Sequence, residues 1–117
     1  MLGTVDVHSS LQEAVLLHQS GQLKQAAAIY QRVLDVEPEN ANALHLLGLV
    51  FHQSGQPESA VILIKQALDI SPNQLNFLHN LANILRKSGQ FEEAVQVYRQ
   101  VIQFQPDTAA TYNKPGI

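Results

Sequence analysis

The triplet Ser20-Gly21-Gln22 returns as Ser54-Gly55-Gln56 and again as Ser88-Gly89-Gln90, 34 residues apart each time. One such triplet is a turn signal. Three at a single interval mean that the chain is built from copies of one unit, and this restricts the fold more than any other feature of the sequence. Other residue types hold the same step. Pro38, Pro72 and Pro106 do so, as do Ala26, Ala60 and Ala94, and so do Tyr30, Ile64 and Tyr98, each four positions after its alanine. No insertion breaks the register. A unit this short cannot bury an apolar face alone, so neighbouring units must stack to make a core.

The apolar spacing between the triplets and the prolines is helical. Ser10 and Glu13 have the form of a capping box, which predicts a first helix starting near Leu11. Leu11, Ala14, Val15, Leu17 and His18 follow a helical stripe up to the first triplet. Leu23, Ala26, Ala27, Tyr30, Val33 and Leu34 predict a second helix over 23–36, stopped by Pro38. Asn40 is placed to cap a third over 41–53, and Pro57 suits the first turn of a fourth. A fifth opens at Asn73 or Gln74 and runs to Lys87, and a sixth spans 91–104. No segment sustains a period of two, so no strand is expected. The connections are two to four residues, which makes successive helices antiparallel. Each unit is therefore a helix A, a tight turn, a helix B and a short loop. Ala26, Ala60 and Ala94 on the B helices, with Ala14, Gly48 and Ala82 on the A helices, let the paired helices approach.

These positions resemble the tetratricopeptide repeat. The middle unit carries the likeness best, in Leu44, Leu47, Gly48, Phe51, Ala60, Ile64 and Pro72. The third follows with Leu78, Leu81, Ala82, Leu85, Ala94, Tyr98 and Pro106. In the first helix A, Ser10 and Glu13 stand where large apolar residues belong, as suits a terminal repeat whose outer face meets water. The resemblance implies an all-α solenoid of three helix-turn-helix repeats in a right-handed superhelix. The expected organisation is an N-terminal arm over 1–9 and a repeat domain over 10–108, with repeats at about 7–40, 41–74 and 75–108. A tail over 109–117 opens a truncated or diverged fourth repeat. Tyr112 and Gly116 fall where that repeat would put its large and small residues, but Pro115 stands where leucine is wanted.

Composition removes several function classes. There is no cysteine, hence no disulfide, thiolate metal site or cysteine nucleophile. That fits a reducing compartment, and a cytoplasmic location is expected. A formal charge of −3 argues against a general nucleic-acid binder. The longest apolar runs, such as 46–51, are too short to span a bilayer, and the first ten residues lack the pattern of a secretory signal. There is no glycine-rich phosphate loop, nucleophile elbow or His-Glu-x-x-His, so no enzyme and no cofactor are expected. Glu92 and Glu93 open a B helix, where negative charge suits the helix dipole.

The resemblance implies that the A helices line a concave groove that takes peptide ligands. Independently, all five histidines lie on or just before A helices. His18 and His52 are repeat equivalents, as are His45 and His79. His45, Leu49 and His52 follow one face of one helix, while Asn76, His79, Asn80 and Asn83 continue the row on the next. Arg86 and Lys87 close it. Glu13 is the only acidic residue inside an A helix, so the A side of an acidic chain is neutral to basic. This favours a protein partner segment that is extended or acidic, although the row also reads as a solvated polar surface or as a proton-sensing groove. A metal is not expected, because histidines on adjacent helices stand ~8–10 Å apart. The resemblance also allows two known ligand modes to be checked by position. At carboxylate-clamp positions the chain has Leu11, Val15, Leu46, Asn76 and Asn80, none of them basic, which argues against a chaperone-tail clamp. Of the asparagine ladder found in arrays preceding O-linked sugar transferases, only Asn80 is present.

The last B helix has no obvious cover. Tyr98, Val101, Ile102 and Phe104 should be partly exposed and could mediate self-association through the C-terminal end. Three functions follow: a non-catalytic scaffold that binds a partner segment, an assembly element, or a regulatory fragment of a larger glycosyltransferase or methyltransferase.

Overall fold

A computed structural model describes residues 6–104. It contains six α-helices: α1 (Val7–Gln19), α2 (Leu23–Val36), α3 (Ala41–Gln53), α4 (Pro57–Ile70), α5 (Leu75–Lys87) and α6 (Phe91–Gln103). No strand occurs among the described residues. The expected fourth repeat over 109–117 lies outside them.

All three residues of the repeated triplet take part in the turn. Gly21, Gly55 and Gly89 adopt φ of +85°, +84° and +86°, a conformation that costs a residue with a Cβ. Each glycine N–H then reaches back to the carbonyl of His18, His52 or Arg86. The following glutamine N–H reaches Leu17, Phe51 or Leu85. This is the Schellman pattern, which satisfies carbonyls that the helix end leaves open. In the first and third copies the serine hydroxyl donates to the carbonyl three residues back, and the glutamine amide donates to that hydroxyl. The glutamine carbonyl also accepts the first amide bond of helix B, from Ala26, Ala60 or Ala94. One residue thus closes helix A and opens helix B.

The start of α1 differs from the expected capping box. The cap is Asp6, whose carboxylate accepts from the Ser9 amide and hydroxyl, so the helix begins at Val7 and takes in Ser10. An ionised carboxylate accepts more strongly than a serine hydroxyl, and it gains from the helix N-terminus. Asn40 caps α3 as expected, accepting from the Ala43 amide at 2.9 Å.

The described residues form two compact units, 6–72 and 73–104. In the first, α1 packs on α2, α2 on α3 and α3 on α4. Its core includes Ala14, Ala26, Tyr30, Val33, Leu44, Leu47, Ala60 and Ile64. The α3–α4 approach is very close. A Cβ on Gly48 would lie 2.9 Å from Ile64 Cγ1 and 3.2 Å from the Ala60 carbonyl. In the second unit α5 packs on α6, and Leu78, Leu81, Ala82, Leu85, Ala94 and Val97 are buried.

Candidate functional site

Glutamine and leucine spacing on α1 builds a groove in the first unit. Leu11 and Val15 are four apart, as are Gln12 and Leu16, and Gln19 follows three later, so they occupy adjoining rows of one helix. Asn42 and Leu46 meet them from α3. Together with His8 these residues line a cavity of about 550 Å³. Its floor is apolar and its rim carries amides. Leu16 is 66% exposed and extends the apolar surface of the cavity. Among the described residues no Asp, Glu, Lys or Arg lines the cavity.

The histidines divide into different roles. His18 is half-buried, and its Nε2 donates to Gln53 Oε1 at 2.8 Å. Its Nδ1 faces the Tyr30 hydroxyl at 3.5 Å, and the two rings meet edge to face at 6.2 Å. It therefore joins α1, α2 and α3. Tyr30 is fully buried, and burial raises its phenol above the ordinary value of 10. His52 and Leu49 are half-buried. His45 does not sit on an open surface: it is 3% exposed, and burial pushes its imidazole down from 6.5 to about 4. α3 packs against both α2 and α4, and its buried arc spreads past the leucine stripe to take in His45.

In the second unit the expected row is accessible. Asn76, His79, Arg86 and Lys87 are exposed, and Asn80 and Asn83 are half-buried. Leu75, Asn76, His79, Asn80 and Val101 line a cavity of about 410 Å³. The His79 ring meets Tyr98 edge to face at 6.1 Å. Arg86 donates from Nη2 to Asn83 Oδ1 at 2.6 Å. Arg86 and Lys87 occupy the last turn of α5, where positive charge is favoured, and α5 holds no acidic residue.

The polar row expected on α5 is exposed or half-buried, and the apolar groove of α1 and α3 lies mostly outside the expected site residues. The signal was present. Leu11, Val15 and Leu46 sit at the positions where basic clamp residues were sought, and their apolar character was itself the information. Val101, expected only in a self-association surface, also lines the α5 cavity. Among the described residues no group of three His, Cys, Asp or Glu side chains could hold a metal ion, and no helix is long and apolar enough to cross a membrane.

A family profile described as anaphase-promoting complex, cyclosome, subunit 3 matches residues 19–101. No curated protein matches the sequence. Among solved structures, MamA from Desulfovibrio magneticus RS-1 superposes with a TM-score of 0.82 at 20% identity, over 87% of this chain and 58% of that one. A MamA double mutant gives the same TM-score and identity, over 88% of this chain. An O-GlcNAc transferase mutant from Thermobaculum terrenum gives 0.77 at 29% identity, over 89% of this chain but 21% of its own. The chain thus spans less than two thirds of each of these structures. At 20% identity the MamA likeness is one of fold.

Proposed function

The chain belongs to the anaphase-promoting complex, cyclosome, subunit 3 family, a family of tetratricopeptide repeats, and on that premise we propose that it is a non-catalytic scaffold holding a segment of a partner protein on its A helices. The observation that carries this reading is the groove between α1 and α3. Leucine and valine form its floor, amides form its rim, and Leu16 is left in water. A leucine-type side chain of a partner would lose its own hydration there and cover Leu16, at ~25 cal/mol per Å² of apolar surface removed from water. Gln12, Gln19 and Asn42 can each both donate and accept, which suits the backbone of an extended segment. Among the described residues an acidic group would find no lysine or arginine in this groove.

The A-helix surface of the second unit suits different chemistry. Asn76, His79 and Asn80 offer donors around a shallow cavity, and Arg86 and Lys87 lie farther along α5. Acceptor-rich or acidic groups fit this surface. The first unit therefore suits a protein segment with an uncharged apolar anchor, and the second a segment with an acidic stretch.

The experiment is a titration of the isotopically labelled chain with two peptide sets, followed by amide NMR shifts. One set has a leucine-centred uncharged core, and the other has acidic residues alone. The leucine set should perturb α1 and α3, and Leu16→Gln should weaken it. The acidic set should perturb α5, and Arg86→Ala should weaken it. Uniform small shifts with both sets, unchanged by either substitution, would end the scaffold reading.

A further inference from the structure

α6 carries its apolar residues in two directions. Ala94 and Val97 are buried against α5. Phe91, Val95, Tyr98 and Ile102 point elsewhere. They are spaced four, three and four, the interval of a coiled-coil seam, and at 100° per residue they fall in one narrow stripe. Water reaches all of it: Phe91 is 63% exposed, Val95 47% and Ile102 58%, with Tyr98 half-buried. Phe104, two residues beyond Ile102, turns to the far side of the helix and lies outside the stripe.

The same register exists in α2, as Leu23, Ala27, Tyr30 and Leu34. There α3 packs on the helix, and Tyr30 and Leu34 are buried. The stripe on α6 is thus a helix-packing surface by sequence register, and it is solvent-exposed.

The charges beside the stripe select what could pack on it. With Phe91 and Tyr98 in one seam position and Val95 and Ile102 in the other, Glu92 and Arg99 both flank the seam on the same side. Both are exposed. In an antiparallel pair of identical helices that flank meets itself, so Glu92 faces the partner's Arg99 and Arg99 faces the partner's Glu92. The apolar layers close at the same time, with Phe91 against the partner's Ile102 and Val95 against the partner's Tyr98. A parallel pair would instead set Glu92 and Arg99 against Ala94 and Val101, which carry no charge. We infer that α6 is the interface through which two copies of this chain associate, as an antiparallel helix pair about a two-fold axis.

The test is the mass of the full chain in solution by sedimentation equilibrium, up to high micromolar concentration. The wild type should approach twice the single-chain mass. Val95→Glu should return it to one chain with helicity unchanged by circular dichroism. Glu92→Arg should weaken association by at least tenfold, and the double exchange Glu92→Arg with Arg99→Glu should restore it. A wild-type mass of one chain throughout overturns the inference, whether the face is then open, covered by residues 105–117 or taken by another protein. A double-chain mass that survives Val95→Glu overturns it as well. Failure of the double exchange to rescue Glu92→Arg overturns the antiparallel pairing.

Discussion

Tyr30 and Tyr98 stand at the same place in their helix pairs, and each meets an A-helix histidine edge to face, at 6.2 and 6.1 Å. Tyr30 is fully buried and Tyr98 is half-exposed. The same contrast separates Leu34 from Ile102, and His45 from His79. Repeat register therefore fixes what a side chain points toward, while the helices packed around it fix whether water reaches it. In a stacked array the second factor changes with position even where the sequence does not.

The largest expected effect follows directly. Tyr30→Ala removes a filled ring from the first unit's core and should cost ~3–5 kcal/mol, the range for deleting a buried aromatic. Tyr98→Ala should cost well under half of that, because water already reaches the ring. Urea midpoints of the two variants measure the difference. Equal losses would show that the two tyrosines are covered alike, and the contrast would collapse.

His45 sharpens the contrast through pH. His45 is held at about 4 by burial, against 6.5 when exposed. Above 6.5 the imidazole is neutral in both folded and unfolded chains, so it has no effect on stability. Between 6.5 and 4 the unfolded chain takes up a proton that the folded chain refuses, and stability falls with pH. The loss should reach roughly 3 kcal/mol and level off below 4. His45→Leu should remove most of that slope in urea denaturation followed across this range.

Gly48 and Ala82 are the next pair. They share a repeat position, but the α3–α4 approach leaves no room for a methyl group. The Ala60 carbonyl is backbone and cannot swing aside, so Gly48→Ala should cost about 1–3 kcal/mol despite alanine's better helix propensity. Ala82→Gly should also destabilise, by about 1 kcal/mol, through lost propensity and packing. A stabilised Gly48→Ala would mean that α3 and α4 can separate.

How much of this was legible depended on range. The helices and turns rest on contacts within a few residues, so glycine at one fixed spacing and proline at another placed five helices within a residue or two. α1 was the exception, because Ser10 with Glu13 and Asp6 with Ser9 are both sound local caps. The choice between them is a competition in strength that spacing does not reveal. The candidate site was less legible, because it depends on which rows of two helices meet. His45 and His79 are equivalent in sequence and opposite in exposure, and no property of either residue distinguishes them. Leu11 and Val15 belong to the helical stripe of α1 and Leu16 does not, and only Leu46 from α3 brings the three into one groove.

The smallest effect concerns the place where the two units should not differ. Ser20 and Ser88 each donate to the carbonyl three residues back, at 3.0 and 3.1 Å, and each accepts from its own glutamine. Every partner lies within the turn, so nothing that follows in the chain can alter it. Ser20→Ala and Ser88→Ala should therefore cost the same, about 0.5 kcal/mol, since water can replace an exposed hydroxyl bond. Hydrogen exchange at the Gly21 and Gly89 amides, which bond to the neighbouring His18 and Arg86 carbonyls, would read the two turns separately. Matching losses would confine the contrast between the units to their helix faces. Unequal losses would mean that packing reaches into the turns, and the three triplets would then no longer be equivalent hinges.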